Sequence, residues 1–260
     1  MSETPFRAAW QSVGEIGKEV VCGLLDLVYP PVCLLCGAWM EAGTLCQLCI
    51  ASFVPLAPPF CDRCGMLIEG GRQVCESCLQ GPEPPFAWSQ VLGRYGGALR
   101  DAIHRFKYEG KTALAQPLGS LLARSLDMPP SPLLTSTLGE SLRFDAVVPV
   151  PLHPSRLRQR GFNQAERLAR VVAVERGWTL DTIGVTRIRR TQTQTTLTSS
   201  QRTENVRGAF ACRSPQRYAG QSVLIIDDVL TTTATIKEVA RVLNEAGATR
   251  VCVIALARGI

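Results

Sequence analysis

Apolar positions arrive along this chain in two rhythms. Near its end, Val223-Leu224-Ile225-Ile226 is an unbroken apolar run in which three residues are β-branched. A strand half exposed to water would alternate apolar and polar residues, so this run predicts a strand buried on both faces. It stops at Asp227-Asp228, and a polar stretch rich in threonine comes next. Ile236, Val239, Ala240, Leu243 and Ala246 then recur at three- and four-residue intervals, the period of an amphipathic helix, and Gly247 fits the C′ position that closes it. Arg250 to Ala257 is again apolar, so the whole predicts strand, loop, helix and strand, a βαβ unit with a parallel pair.

The same rhythms run upstream. Trp10, Val13, Ile16, Val20, Leu24 and Leu27 share one helical face between Phe6 and Val28, weakened by Gly14, Gly17 and Gly23 and stopped by Pro30-Pro31. Its polar face is mixed in charge, which favours packing over a membrane surface. Gly81-Pro82-Glu83-Pro84-Pro85 is a stiff linker, after which Trp88 to Tyr95 reads as a strand and Leu99, Ala102, Ile103 and Phe106 mark a helix. His104 points away from that stripe. A further helix is expected over 114–126, then a proline loop at 129–132. Phe144 to Pro151 predicts a second buried strand, followed by a loop carrying Arg156, Arg158 and Arg160, and Asn163 caps a helix reaching Gly177. Arg187 to Phe210 has no core periodicity and is long for a connection, which marks a lid or binding loop in competition with disorder. Expected limits are an amphipathic helix over 1–30, a cysteine-rich module over 31–80 and an α/β domain over 88–260.

Composition narrows this picture. Of 260 residues, 46% are hydrophobic and 19% charged, which excludes a disordered chain. The net charge of +6 is carried mainly by arginine, since Lys18, Lys107, Lys111 and Lys237 are the only lysines. Arginine is the better bidentate partner of phosphate, so a phosphorylated ligand or nucleic acid suits the balance. No run approaches the roughly 18 apolar residues of a membrane span. With no secretory signal at the N-terminus, the expected compartment is the cytoplasm, where eleven cysteines point to metal before disulfides.

Those cysteines are ordered. Cys33-x-x-Cys36-Gly37 is followed after nine residues by Cys46-x-x-Cys49; eleven residues later comes Cys61-x-x-Cys64-Gly65, then ten residues and Cys75-x-x-Cys78. Two residues between cysteines let a knuckle aim both sulfurs at one tetrahedral ion, and two knuckles complete a shell of four sulfurs. The duplication predicts a double zinc ribbon with Cys33, Cys36, Cys46 and Cys49 on one Zn2+ and Cys61, Cys64, Cys75 and Cys78 on another, both closed and structural. A crossed arrangement, first knuckle with fourth, is also allowed by spacing. Cys22, Cys212 and Cys252 have no partner at ligand spacing and read as core. Trp39, Phe53 and Phe60 either pack the module or stack on bases.

The polar stretch Thr231-Thr232-Thr233-Ala234-Thr235 sits at a helix N-terminus, where unpaired N–H groups and the helix dipole favour a phosphate. Asp227 and Asp228, at a strand's carboxyl end, suit a ribose diol or a hydrated Mg2+. The simpler reading is a capped helix and a polar loop.

Apolar strand, Asp-Asp, two residues and Thr-Thr-x-Ala-Thr together resemble the 5-phosphoribosyl-1-pyrophosphate (PRPP) motif of type I phosphoribosyltransferases. Wider still, the double Cys-x-x-Cys region, Tyr95 with Leu99-Arg100, Lys107-Tyr108, Val148 to Leu152, Arg160 to Ala165, Gln194 with Leu197, Arg202 with Asn205-Val206 and the acidic pair occur in an order similar to that of the ComF (competence protein F-like) family. The resemblance implies a zinc module before a type I phosphoribosyltransferase fold, a mostly parallel sheet flanked by helices, with a link to single-stranded DNA in natural transformation and to competence or DNA-processing proteins. It implies that Asp227 and Asp228 hold the ribose, that Thr231, Thr232, Thr233, Ala234 and Thr235 hold the 5′-phosphate, that Arg160 and Gly161 lie at the pyrophosphate, that Lys107 and Arg202 face substrate, and that 187–210 forms a hood. PRPP with Mg2+ would be the ligand and the acceptor is unnamed; a non-catalytic DNA-handling adaptor is the alternative. His153 qualifies as a base by position alone. Thr233 departs from the family pattern, which has glycine where a positive φ is needed.

Overall fold

The structure, a computed structural model, describes residues 30–259 apart from 57, 62, 69–71, 128–141, 192–203 and 232. The helix expected over Phe6–Val28, Cys22, the proline loop at 129–132, Gln194, Leu197, Arg202 and Thr232 lie outside the described residues.

Seven strands and seven α-helices are described: α1 (Gln47–Ala51), α2 (Glu76–Gln80), β1 (Trp88–Arg94), α3 (Gly97–Tyr108), α4 (Ala115–Ser125), β2 (Ala146–Pro149), α5 (Pro154–Arg160), α6 (Gln164–Arg176), β3 (Thr179–Leu180), β4 (Val185–Arg187), β5 (Phe210–Cys212), β6 (Ser222–Leu230), α7 (Ala234–Glu245) and β7 (Arg250–Arg258). Five strands form one parallel sheet in the order β1-β7-β6-β2-β3, and β4 pairs with β5 in a separate antiparallel ribbon. The expected βαβ unit is β6-α7-β7, in register from Ser222 opposite Arg250 to Leu230 opposite Arg258.

The unbroken apolar run has a simple cause. Successive side chains of a strand point to opposite faces, so Leu224 and Ile226 enter one core with α3, α4 and α6 while Val223 and Ile225 enter a second core with α7. The two cysteine modules divide in the same way. Cys33, Leu45 and their neighbours pack into the α3 side, whereas Cys61, Cys64, Cys75 and Cys78 pack into the α7 side. They therefore straddle β1, whose Arg94 N–H donates to Val54 O at 3.0 Å and whose Ser89 hydroxyl donates to Cys64 O at 2.6 Å.

Two local expectations are corrected. The central strand does not stop at the acidic pair but runs through it to Leu230. The arginine loop after β2 is mostly helix α5, because Pro154 pre-sets the helical φ and the His153 ring accepts from Ser155 N–H as N-cap, a role that sequence assigns to Ser, Thr, Asp or Asn.

Candidate functional site

Strands β2 and β6 run parallel, and their pairing ends with Pro149 opposite Ile226 and Val150 N–H bonded to Ile226 O at 2.9 Å, while β6 continues to Leu230. The segments beyond this pairing, residues 151–161 and 227–235, therefore emerge on one edge, the carboxyl edge where open α/β sheets take ligands.

Asp228 is buried, 4% exposed, and pairs with Lys107 Nζ at 2.9 Å. Lys107 sits in the last turn of α3, and burial would depress its pKa; the charge of Asp228, with Asp227 behind it, reverses this and holds it above the ordinary value. Asp227 moves the other way. Burial first, and the Asp228 carboxylate second, push it up to about 7, against the Asp228 N–H that donates to its Oδ1 at 2.8 Å and the nearby cations Lys107 and Arg187.

Downstream, Thr231 is exposed and Thr233 is buried at the N-cap of α7, with φ +59° and ψ 0°. Among the described residues it is the one non-glycine with a positive φ. Its side chain makes no cap hydrogen bond to the helix. The concern raised by the missing glycine thus resolves in geometry: threonine adopts the left-handed turn itself, at a cost of about 1–2 kcal/mol. Thr233→Gly is accordingly expected to be more stable than Thr233→Ala by about 1 kcal/mol, since both lose the side chain and only glycine sheds the strain. Scanning calorimetry of the two variants checks this, and equal melting temperatures would refute it.

The arginine side joins through Tyr108. Arg160 lies over the Tyr108 ring at 5.0 Å and donates to Gln164 Oε1 at 2.7 Å, and Gly161 ends α5 with φ +82°. Asn163 caps α6 by accepting from Ala165 N–H and donates to Val150 O at 3.1 Å, tying this corner to β2. The adjacent pair Lys107-Tyr108 therefore holds Asp228 with one residue and Arg160 with the next. Arg187, at the end of β4, is buried against Phe210 at 5.2 Å and hydrogen bonds to Thr191. Burial, then Arg156 and Arg189, pull it down to about 10, opposed by Asp227. Asp227, Asp228, Lys107, Arg160, Gly161, Thr231, Thr233, Ala234 and Thr235 thus lie on one edge; Thr232 and Arg202 fall outside the described residues. His153 is engaged as the α5 cap, its Nδ1 2.8 Å from Ser155 Oγ. Tyr108 as the link to Arg160 was not readable from spacing.

The cysteines form the two sequential groups, Cys33, Cys36, Cys46, Cys49 and Cys61, Cys64, Cys75, Cys78, each with its sulfurs within 4.8 Å of one another. The crossed pairing is excluded by their positions on opposite faces of the sheet. Sulfur separations of 3.8 Å (Cys33–Cys49), 3.7 Å (Cys36–Cys46) and 3.6 Å (Cys64–Cys75) match the edge, about 3.8 Å, of a tetrahedron with Zn–S bonds of about 2.3 Å. Cys46 N–H donates to Cys33 Sγ and Cys75 N–H to Cys61 Sγ, the backbone support that thiolates need. All four positions of each shell are filled by sulfur, so these are closed sites. Cys252 is buried in the sheet, which pushes its thiol up to about 12, as fits a core residue. Of the aromatics, Phe53 packs against the core while Trp39 is 69% exposed. No described helix is long and apolar enough to cross a membrane.

Comparison with known proteins adds a double zinc ribbon domain at residues 24–79 and a phosphoribosyl transferase domain at residues 157–260. The DNA utilization protein YhgH of Salmonella typhimurium is 32% identical over 235 residues, 89% of this chain and 99% of that protein. Competence protein F of Haemophilus influenzae is 31% identical over 219 residues, 82% of this chain and 88% of that protein. Competence protein ComFC of Streptococcus pneumoniae is 27% identical over 243 residues, 87% of this chain and 99% of that protein.

Proposed function

The chain belongs to the ComF family, a double zinc ribbon joined to a phosphoribosyltransferase domain, and from that membership we propose that it binds PRPP with Mg2+ and transfers the phosphoribosyl group to an acceptor in the handling of incoming DNA. The observation that carries the reading is the acidic pair at the end of β6 leading directly into a left-handed turn at Thr233 and the N-terminus of α7.

In this reading the 5′-phosphate accepts from the first-turn N–H groups of α7 and from the hydroxyls of Thr231 to Thr235, where the helix dipole favours negative charge. Asp227 and Asp228 accept from the ribose hydroxyls and fix the sugar. Transfer breaks the bond between ribose C1 and the pyrophosphate oxygen, so positive charge grows on the ribosyl centre and negative charge on the leaving group. In this reading Arg160 stabilises the departing pyrophosphate, with the buried Arg187 near Asp227 adding positive charge, and the nearby carboxylates stabilise the sugar cation. Mg2+, when bound with PRPP, supplies further neutralisation of the pyrophosphate.

Titration calorimetry with PRPP and Mg2+ tests this. Binding by the natural chain that disappears in the Asp227→Ala, Asp228→Ala variant is the expected result; a folded, zinc-loaded natural chain that takes up no heat with PRPP would sink the reading. One observation favours a second: Lys107 already neutralises Asp228, the carboxylate that a ribose or Mg2+ would engage. An adaptor that keeps the pocket without transfer would bind single-stranded DNA with a steep salt dependence that PRPP does not alter.

A further inference from the structure

Arg258, the last residue of β7, is 1% exposed and among the largest fully buried side chains. It donates to Cys64 O at 3.3 Å and Ser89 Oγ at 3.1 Å and lies 3.6 Å from Met66 Sδ, while its Nε has no hydrogen-bond partner. Among the described residues no carboxylate pairs with it. A buried cation without an opposite charge is costly, by several kcal/mol. Its contacts fall on the second cysteine group instead: Cys64, whose carbonyl it meets, is one of the four sulfur ligands, and Met66 lies two residues further on. Those thiols with a Zn2+ make a net dianion, since four thiolates outweigh the ion's two positive charges. Neutral backbone and thioether contacts alone give the guanidinium no such counter-charge.

The backbone around Arg258 ties the metal site to the functional edge. A side chain at Gly65, in the first knuckle of this ribbon, would fall 2.2 Å from Ser89 O, so the knuckle lies directly against β1. Arg258 O accepts from Tyr95 N–H at 2.9 Å, and Arg258 faces Leu230 across the ladder. Gly259 N–H then donates to Leu230 O at 2.9 Å, and its Cα lies close enough to Thr231 that an added Cβ would sit 3.3 Å from Thr231 Cγ2. We propose that Arg258 is the counter-ion of the second zinc tetrathiolate and a positioning residue through which that zinc holds the start of the Thr231–Thr235 loop. Among the described residues the first ribbon has no equivalent: the half-buried Arg105 beside it donates to Leu34 O.

The test is zinc release to a chromogenic chelator, with the first ribbon as internal reference. Partners that support metal ligands are worth roughly 10- to 100-fold in metal affinity, so Arg258→Met is expected to release one of its two zinc ions at least about tenfold faster, and Arg258→Lys, which keeps the charge, to release it more slowly than Arg258→Met. Unaltered release of both ions, equal acceleration of both, or identical Lys and Met variants would overturn the proposal. Should the variants not fold, hydrogen exchange of the natural chain during stepwise chelation decides: loss of protection at 222–231 together with 61–78 is expected, and loss confined to 61–78 would overturn it. Neither readout uses PRPP, so the outcome is independent of the transferase reading.

Discussion

Lys107→Met is expected to lower the melting temperature by about 10 °C at pH 8 and by far less at pH 5. Breaking a buried ion pair by removing one partner costs about 3–5 kcal/mol, and a chain of this size loses about 2–4 °C per kcal/mol. The pair qualifies as buried, with side-chain exposures of 14% for Lys107 and 6% for Asp228. Its loss also leaves two carboxylates side by side, where burial already pushes Asp227 up to about 7. The Lys107 charge is one of those that hold Asp227 down, so without the ammonium Asp227 rises further above its unfolded value of about 3.9. A carboxyl raised in this way penalises folding fully above the folded pKa, and the penalty fades as pH falls toward the unfolded one, because the native state then binds the proton more readily. Adding Asp228→Asn to Lys107→Met is expected to recover most of the loss at pH 8. Thermal melts of the three proteins at both pH values measure this; a loss independent of pH and not rescued by Asp228→Asn would show that the ammonium acts through packing alone.

Cys64→Ser is expected to cost one zinc ion per chain and much of the soluble yield, whereas Cys36→Ser keeps two ions. A structural zinc contributes of order 10 kcal/mol to folding, so the outcome depends on whether something can replace the lost sulfur. Cys36 is exposed, and water can take the vacated coordination position. Cys64 is buried between the knuckle and β1, its carbonyl already engaged by Ser89 and Arg258, so no water reaches it. Elemental analysis of purified variants checks the stoichiometry; equal zinc content in the two would contradict it.

The sequence carried the βαβ unit and the sulfur sets because both are written in local spacing. Four apolar residues in a row allow little but a strand covered on both sides, and a Cys-x-x-Cys knuckle has few geometries. Thr233 was legible for a related reason, since a missing glycine points to the residue that must take its φ. Other features depend on distant partners. Lys107 stood out as one of four lysines, yet nothing near it announces that Asp228, across the sheet's edge, would be its mate. Arg258 lay just past the expected strand, Arg250 to Ala257, and nothing singled it out, because the residues it meets, Cys64, Met66 and Ser89, lie far away in the chain. Helix α5 was mistaken for loop because a histidine ring does the work of the usual cap. The choice between sequential and crossed knuckles was open in sequence and was decided by the sheet, which separates the two groups.

The placement of the ribbons on opposite sides of β1 has a consequence for how the chain could have evolved. A module that merely precedes a domain can be shed or exchanged without cost to its neighbour. Here Val54 O takes the Arg94 N–H of the outermost strand and Cys64 O takes the hydroxyl of its Ser89, so the ribbons cover part of the border through which such a strand would recruit another chain. Deleting them would leave an open template for strand addition, and the transferase half would gain a tendency to self-associate. The zinc module thus covers part of that border, and a lineage that lost it would need another way to close it.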